Sequence, residues 1–559
     1  MQCWNIGNTT VRNPLRIEEG LVAFRSSVAG KSWSKPIEYQ KKVYDVLLEA
    51  GVIESTSENE QESLGRKWIA CFKQLGLIKI DTTNNVLTLT EAGVSLIENS
   101  LPSEDIFLKQ LMKLKLPNYL ENGARYEEID VHPFWLTIKC LYTLQNDYNE
   151  VGLNKNEIAL YLIPCIQNAD LESVVESILL FRAGYNNAKG MVAKQKFVKD
   201  QYSKMTESRD LVKLASLKDY ADSSLRYFLR SGLFTVKGTR VEIASHKMKL
   251  AKFVVEHALT VSENAEEESY ADIYTTLAVP ELPYLDKGYL SEVISELTQS
   301  AAKEGVEIKK VDLSKSASEL RKAQIEIETE IMIQREIKFM VEQRNQLEEI
   351  GNNFELIKNK TFLGGDMYAP AFYEWNTWRV FLAIDDFNSN VHDTRGFQID
   401  AEINPTHHAK GGHADMEFEY DEKVIVVECT LSIGENQWSM EREPVQRHVK
   451  NAMRRSLKEV IGVFVAPKIN INTYHSFLNE TLYLNPDDEK PTRINIVPLT
   501  DNQLNKLMRA HDFSLGHGYL LNLLNQLLEA REASGNDARA WSIAIERILN
   551  SQESLMISM

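Results

Sequence analysis

Residues 411–448, GGHADMEFEYDEKVIVVECTLSIGENQWSMEREPVQRH, decide how the rest of the chain is read. DMEFEY alternates strictly between polar and apolar, so as a strand it sets Asp415, Glu417 and Glu419 on one face. DEK supplies a turn, and VIVVECTL is the apolar, β-branched run of a buried central strand. A carboxylate inside such a run is costly unless it is paired or bound to a metal ion, and Glu428 is that residue. Thr430, two positions on, shares its face. An Asp and a Glu facing each other on paired strands offer the oxygen ligands that a hard divalent cation takes. Such a cation polarises a phosphodiester and activates water.

Downstream, Glu441 and His448 are seven residues apart and so share a helical face. Pro444 reads as a first-turn residue of that helix. His448 is placed to act as a base or electrostatic helper near an activated water. VIGVFVAP (460–467) and RINIVPL (493–499) extend the sheet, and APAFYEWNTWRVFLAI, around Glu374, precedes it as a helix. Together these elements have the logic of a PD-(D/E)xK-like α/β nuclease core over residues 351–559. Two positions depart from that pattern: Ala414 stands where a Pro is usual, and Thr430 where a Lys is usual. His407, His408 and His413 flank Gly411 and Gly412; a polar loop beside the site is the favoured reading, with a zinc site as the alternative.

Moving upstream, residues 312–350 are polar, lack Pro and are rich in Glu, Lys and Gln, which reads as a helical linker over 301–350. Before it, two segments have the order helix, helix, hairpin. In the first, EYQKKVYDVLLEA (38–50) and SLGRKWIACFKQL (63–75) are amphipathic helices, and LIKI and VLTLTEAG flank an Asn84-Asn85 turn. In the second, LKDYADSSLRYFLRSGLF (217–234) has a helix-turn-helix look, and TVKGTRVEI is a hairpin around Gly238. Both segments predict winged-helix-type DNA-recognition domains, whose second helix reads base edges in the major groove. Residues 1–105 hold an arm and the first such domain; 106–300 hold a helical region and the second. Arg66 and Lys67 lie near the exposed start of the first reading helix. Arg226 and Arg230 are four apart on one outer face of the second, with Lys237 and Arg240 as wing residues suited to phosphate contact.

Charge supports this division. The 559-residue chain carries −17 overall, which by itself speaks against a nucleic-acid partner. Residues 189–252, however, contain fifteen Lys or Arg against six Asp or Glu, and residues 1–42 seven against three, leaving −30 for the rest. Local basic patches attract phosphate through counterion release. Asn8, Arg12, Arg16, Arg25 and Lys31 in the first patch join the candidates for DNA contact.

The exclusions are brief. Five cysteines at 3, 71, 140, 165 and 429, with no CxxC, fit a reducing cytoplasm and no disulfide framework or zinc ribbon. The first residues lack a charged region followed by an apolar run, so no signal peptide is expected, and no apolar run is long enough to cross a bilayer. No Walker A or GxGxxG sequence is present, so no nucleotide cofactor is indicated.

At this point the sequence resembles the AlwI-like type IIS restriction endonucleases and their nicking relatives. WNIGNTTVRNPLRI (4–17), DYADSSLRYFLRSGLF (219–234), the A-D…V-E-x-T core and the E-P-V-x-R-H helix carry the resemblance over nearly the whole chain. It implies a modular α+β protein: N-terminal winged-helix-type recognition domains, a long linker helix and a C-terminal PD-(D/E)xK-like cleavage domain. It implies that Asp415 and Glu428 bind metal, that Glu441 and His448 belong to the active site, and that the early helical Glu is Glu374. The Thr at 430 is then the family's own variant. It further implies a bacterial cytoplasmic enzyme that binds a short asymmetric double-stranded DNA site and cuts a few base pairs outside it with Mg²⁺, for which Mn²⁺ can substitute. Double-strand cutting would need transient dimerisation of cleavage domains or a second subunit. The alternatives are a strand-specific nicking enzyme of the same architecture and a DNA-binding regulator with an inactive nuclease fold.

Overall fold

The structure is a computed structural model. It describes the chain apart from residues 1–2, 8–10, 12–13, 34, 54–56, 82, 119, 121–128, 190, 208–213, 238–239, 260–266, 360–368, 385–386, 400–402, 410–413, 479–480, 486–487, 512–517, 536 and 559. The fold is mixed α+β and multidomain, mostly helical with small sheets. Two compact units form: residues 1–297 with 311–324, and residues 298–310 with 325–559.

In the first unit, helices Ile17–Ser27, Pro36–Glu49 and Glu58–Gln74 precede the antiparallel hairpin Ile78–Asp81 and Val86–Leu89, which enters helix Glu91–Glu98. Ser32 bridges to Val86, so the chain between the first two helices adds a third, minimal strand to the hairpin. Trp68 and Phe72 are buried along one face of helix Glu58–Gln74, with Leu75 buried just past its end, as their spacing requires. Thr90 caps the last of these helices by accepting from the Gly93 amide.

A second cluster of the same type follows. Helix Pro133–Tyr148 leads to the short strand Leu153–Asn154, which joins the hairpin Phe234–Lys237 and Arg240–Ile243 in a three-stranded sheet. Residues 217–229 differ from the sequence reading: they lie in one continuous helix, Leu214–Leu229, rather than a helix-turn-helix. No Gly or Pro interrupts LASLKDYADSSLRYFL, and the turn comes only at Arg230–Gly232. Helices Leu171–Asn187 and Met191–Glu207 are inserted ahead of it.

The segment expected as a linker, 301–350, holds helix Ala317–Gln343 and the first residues of helix Leu347–Lys358, parted at residues 344–346. The second unit is built on a four-stranded sheet. Strands Met416–Glu419 and Lys423–Cys429 form an antiparallel hairpin; Glu459–Ala466 and Asn495–Thr500 add in parallel, in that order. Helix Glu435–Arg455 makes the crossover from Lys423–Cys429 to Glu459–Ala466. It packs Val445, Val449 and Ala452 on one sheet face, close enough that Gly462 has no room for a side chain: a Cβ there would fall 2.7 Å from Val449. Pro444 sits ten residues into this helix, not in its first turn. The helix starts one and a half turns earlier than the sequence suggests, because Gly434 and Glu435 already begin it. Helix Ala369–Ile384 covers the opposite face, where Phe381 stacks on Phe418 at 4.8 Å.

Candidate active site

The hairpin register pairs Met416 with Val427. One step further out, Asp415 therefore stands opposite Glu428. The Cys429 amide donates to Asp415 Oδ2 at 2.8 Å, which turns that carboxylate across the strand pair. Glu428 Oε1 is 2.6 Å from His448 Nδ1, the histidine being carried in by the crossover helix. Glu374 enters from the facing helix, buried, and its Oε2 accepts from the Ala409 amide at 2.8 Å.

These carboxylates feel one another. Burial, and then the charge of Asp415, push Glu374 well above the usual carboxylate range. Burial, and then Glu428, do the same to Asp415. Glu428 is raised by burial and by Glu441. Glu441 is itself raised by burial, although a hydrogen bond with Thr430 opposes this. Burial lowers His448, and its Nε2 is buried with no hydrogen-bond partner. All five candidates, Glu374, Asp415, Glu428, Glu441 and His448, thus gather at one end of the sheet. Glu417 and Glu419 share the strand face of Asp415 but turn away into ion pairs with Arg455 and Lys458, both at 2.6 Å.

Concentrated buried negative charge of this kind is what a hard cation relieves. Among the described residues, no three His, Cys, Asp or Glu side chains close around a single point. A site of two carboxylates, completed by water and phosphate, is nonetheless how Mg²⁺ is commonly held. Of the histidines noted upstream, His408 is exposed and its ring nitrogen lies 2.9 Å from the Ala409 carbonyl, in the loop that binds Glu374. The His407 side chain, His413, Gly411 and Gly412 lie outside the described residues.

The candidates for DNA contact divide into two groups. Arg66 is exposed and Lys67 half-buried, both on helix Glu58–Gln74, and no described carboxylate pairs with either. Lys31 is exposed beside Lys42, whose proximity lowers its pKa. Two neighbouring ammonium groups with no acidic partner among the described residues invite an anion. Lys42 left no signal in the sequence, being one Lys of an ordinary amphipathic helix.

The remaining arginines are engaged within the protein. Arg16 bonds Glu19 and the Gly51 carbonyl. Arg25 bonds Glu98 at 3.0 Å, both side chains about half exposed. Arg226 bonds Asp222 at 3.2 Å. Arg230 does not share an outer face with Arg226. It turns inward over the Phe107 ring and bonds Glu18 at 2.6 Å and Ser103 at 2.8 Å, because its position past the helix end frees it from helical spacing. Arg240 reaches the buried Glu157 at 3.3 Å. Asn8, Arg12, the Lys237 side chain and Gly238 lie outside the described residues.

The carboxylate cluster lies at the end of a mixed sheet, in a chain that also holds helix-and-hairpin units. A profile of the AlwI restriction endonuclease family matches residues 73–507, and the chain belongs to that family of DNA-cleaving restriction enzymes. No curated protein matches. Among solved structures, the chain is similar to the small subunit (R.BspD6I2) of the heterodimeric restriction endonuclease R.BspD6I. Identity there is 25%, over 36% of this chain and 98% of that one, at a TM-score of 0.30. It is also similar to the BpuJ1 endonuclease binding domain in complex with modified DNA, at 16% identity, over 49% and 95% of the two chains, TM-score 0.34. Restriction endonuclease FokI matches at 12% identity, over 94% and 98%, TM-score 0.24. At these TM-scores the likenesses add no weight to the geometry above. Among the described residues, no helix is long and apolar enough to cross a membrane.

Proposed function

We propose that the chain is a type IIS restriction endonuclease: it reads a short asymmetric double-stranded DNA site with two winged-helix-type modules and cuts a few base pairs away with a PD-(D/E)xK-like centre. The observation that carries this reading is the burial of Glu374, Asp415 and Glu428 together, each held above its ordinary range by burial and by a neighbouring carboxylate. In both recognition modules, a three-helix arrangement with a small hairpin sheet supports the winged-helix assignment, with Glu58–Gln74 and Leu214–Leu229 as the reading helices.

Asp415 and Glu428 would hold Mg²⁺, or Mn²⁺ in its place. When bound, the ion supplies charge neutralisation at the scissile phosphate and a more acidic water. The chain's own residues do the rest. The Cys429 amide fixes Asp415, and the Ala409 amide fixes the buried Glu374. His448, kept neutral by burial and tied to Glu428 through Nδ1, presents Nε2 as an acceptor for a water proton. Glu441 lies on the helical face of His448 and tunes the charge of Glu428.

Run-off sequencing of a plasmid digested with Mg²⁺ or Mn²⁺ tests the reading, since site, offset and strand are reported together. Absence of any cut on unmethylated DNA with either ion would overturn it in favour of a regulator. The second reading, strand-specific nicking, is favoured by the single carboxylate centre among the described residues, since one centre cuts one strand. Persistent open circles from supercoiled plasmid identify nicking; linear product identifies paired action with a second cleavage domain or subunit.

A further inference from the structure

The segment Trp4–Gly7 is buried within the first unit, between the two modules proposed above to read DNA. On one side, Gln74, at the end of helix Glu58–Gln74, accepts from the Gly7 amide at 2.7 Å and donates to the Asn5 carbonyl at 3.2 Å. On the other, two consecutive serines of helix Leu214–Leu229 satisfy both backbone groups of Ile6. Ser224 Oγ accepts from its amide at 3.1 Å, and Ser223 Oγ donates to its carbonyl at 2.9 Å. Trp4 donates to the Ile163 carbonyl at 3.2 Å. Tyr227 then closes the seam: its hydroxyl donates to the Val11 carbonyl at 3.0 Å and lies 3.0 Å from Cys71 Sγ on the first helix.

Each of these groups is buried: Trp4, Ile6 and Ser224 are 0% exposed, Ser223 1% and Gln74 3%. The conformation tolerates no bulk. Gly7 has φ +68°, and a Cβ there would fall 2.2 Å from the Tyr227 ring. Backbone groups buried in this way must be satisfied by these side chains or go without. A hydrophobic filler would need none of this pairing, since apolar contact is not directional. Here the hydrogen bonds of Gln74, Ser223 and Ser224 tie the segment to one or other of the two candidate reading helices.

We infer that the segment Trp4–Gly7, with Val11, is a clasp that sets the register of one reading helix against the other, and that Gln74, Ser223, Ser224 and Tyr227 are positioning residues for sequence discrimination. The inference rests on the proposed recognition role of the two modules. Two helices held in fixed register read one composite site as a unit. If the register loosens, each module tolerates mismatches in its own half.

The test compares the full-length wild type with Ser223→Ala/Ser224→Ala. Cleavage of the cognate site is measured against cleavage of sites carrying one substituted base pair. One mismatch ordinarily lowers affinity about tenfold or more. The variant is expected to lose about tenfold of that discrimination, while its rate at saturating cognate DNA stays within about twofold. Ser224→Thr, which keeps the accepting hydroxyl, is expected to restore discrimination. If the double variant does not fold, Ser224→Ala is read by the same ratio. An unchanged ratio, or equal weakening at every site, in a variant of a wild type that cuts specifically would overturn the clasp and leave the nuclease reading standing. A wild type that cuts no DNA would overturn both.

Discussion

Glu428 shows how much one residue discloses. A lone carboxylate in VIVVECTL has no reason to be there as packing, and the structure sets it beside His448 and opposite Asp415. Removing either proposed metal ligand, by Asp415→Ala or Glu428→Gln, is expected to lower cleavage at least about a thousandfold. Gel-shift affinity for the site should stay within about twofold. Loss of binding in step with cleavage would place the two residues in the fold rather than the chemistry.

The same carboxylates dictate a pH dependence. Glu374, Asp415 and Glu428 are held above their ordinary values. An acid raised in the folded state stabilises the fold below its unfolded value of about 4, and that stabilisation is lost as pH rises through the raised value. Without metal, the melting temperature is therefore expected to fall as pH rises above about 4. Mg²⁺ should restore several degrees, more at the upper end than the lower. Asp415→Asn should flatten the slope; a slope identical to wild type would show that the repulsion is not felt. Lys31 gives a separate measurement. If Lys31 and Lys42 contact phosphate, Lys31→Ala is expected to reduce the slope of log affinity against log salt by about one. Neither Lys42 nor the inward turn of Arg230 was legible in the sequence, since ion-pair choice depends on partners such as Glu18 that are distant in the chain.

At the scale of elements, periodicity served well where helices are amphipathic and strands alternate. The hairpin Ile78–Asp81 to Val86–Leu89 and the strands of the four-stranded sheet fall within a few residues of their expected positions. It served less well at helix starts and in the second module, where a helix-turn-helix was expected and one helix formed. Gly65 was also passed over, as an isolated glycine in a helical pattern. Its reason is tertiary: a Cβ there would fall 1.9 Å from the Gln40 carbonyl, where helices Pro36–Glu49 and Glu58–Gln74 cross at backbone contact. Gly65→Ala is expected to destabilise the first unit by about 1–3 kcal/mol in denaturant titration, against the slight gain an exposed helical Gly→Ala change gives. The buried Glu157 makes a comparable demand. Arg182 bonds it at 2.8 Å and also holds Glu150 and the Gly152 carbonyl. Arg182→Met leaves that carboxylate short of its main partner and is expected to lower stability by about 3–5 kcal/mol.

For the molecule as a whole, two compact units predict two thermal transitions in calorimetry of the full chain. Only the transition of the unit carrying Asp415 and Glu428 should shift with divalent cation, by about 2.7 kcal/mol at a hundredfold excess over Kd. A single cooperative transition that moves entirely with metal would show the units to be energetically one. The sequence by itself determined the class of elements, the segregation of basic from acidic segments, and the carboxylates proposed to act in cleavage. Each of these is written in local pattern: period, composition, or a charge where burial forbids one. Only the tertiary structure decided which arginines are spent inside the protein, why Gly7 and Gly65 must be glycine, and that Ser223 and Ser224 satisfy the backbone of Ile6. Those facts join residues up to 218 positions apart. Hydrogen bonding and steric exclusion act over a few ångströms in space, and chain order carries no record of that proximity until the fold creates it.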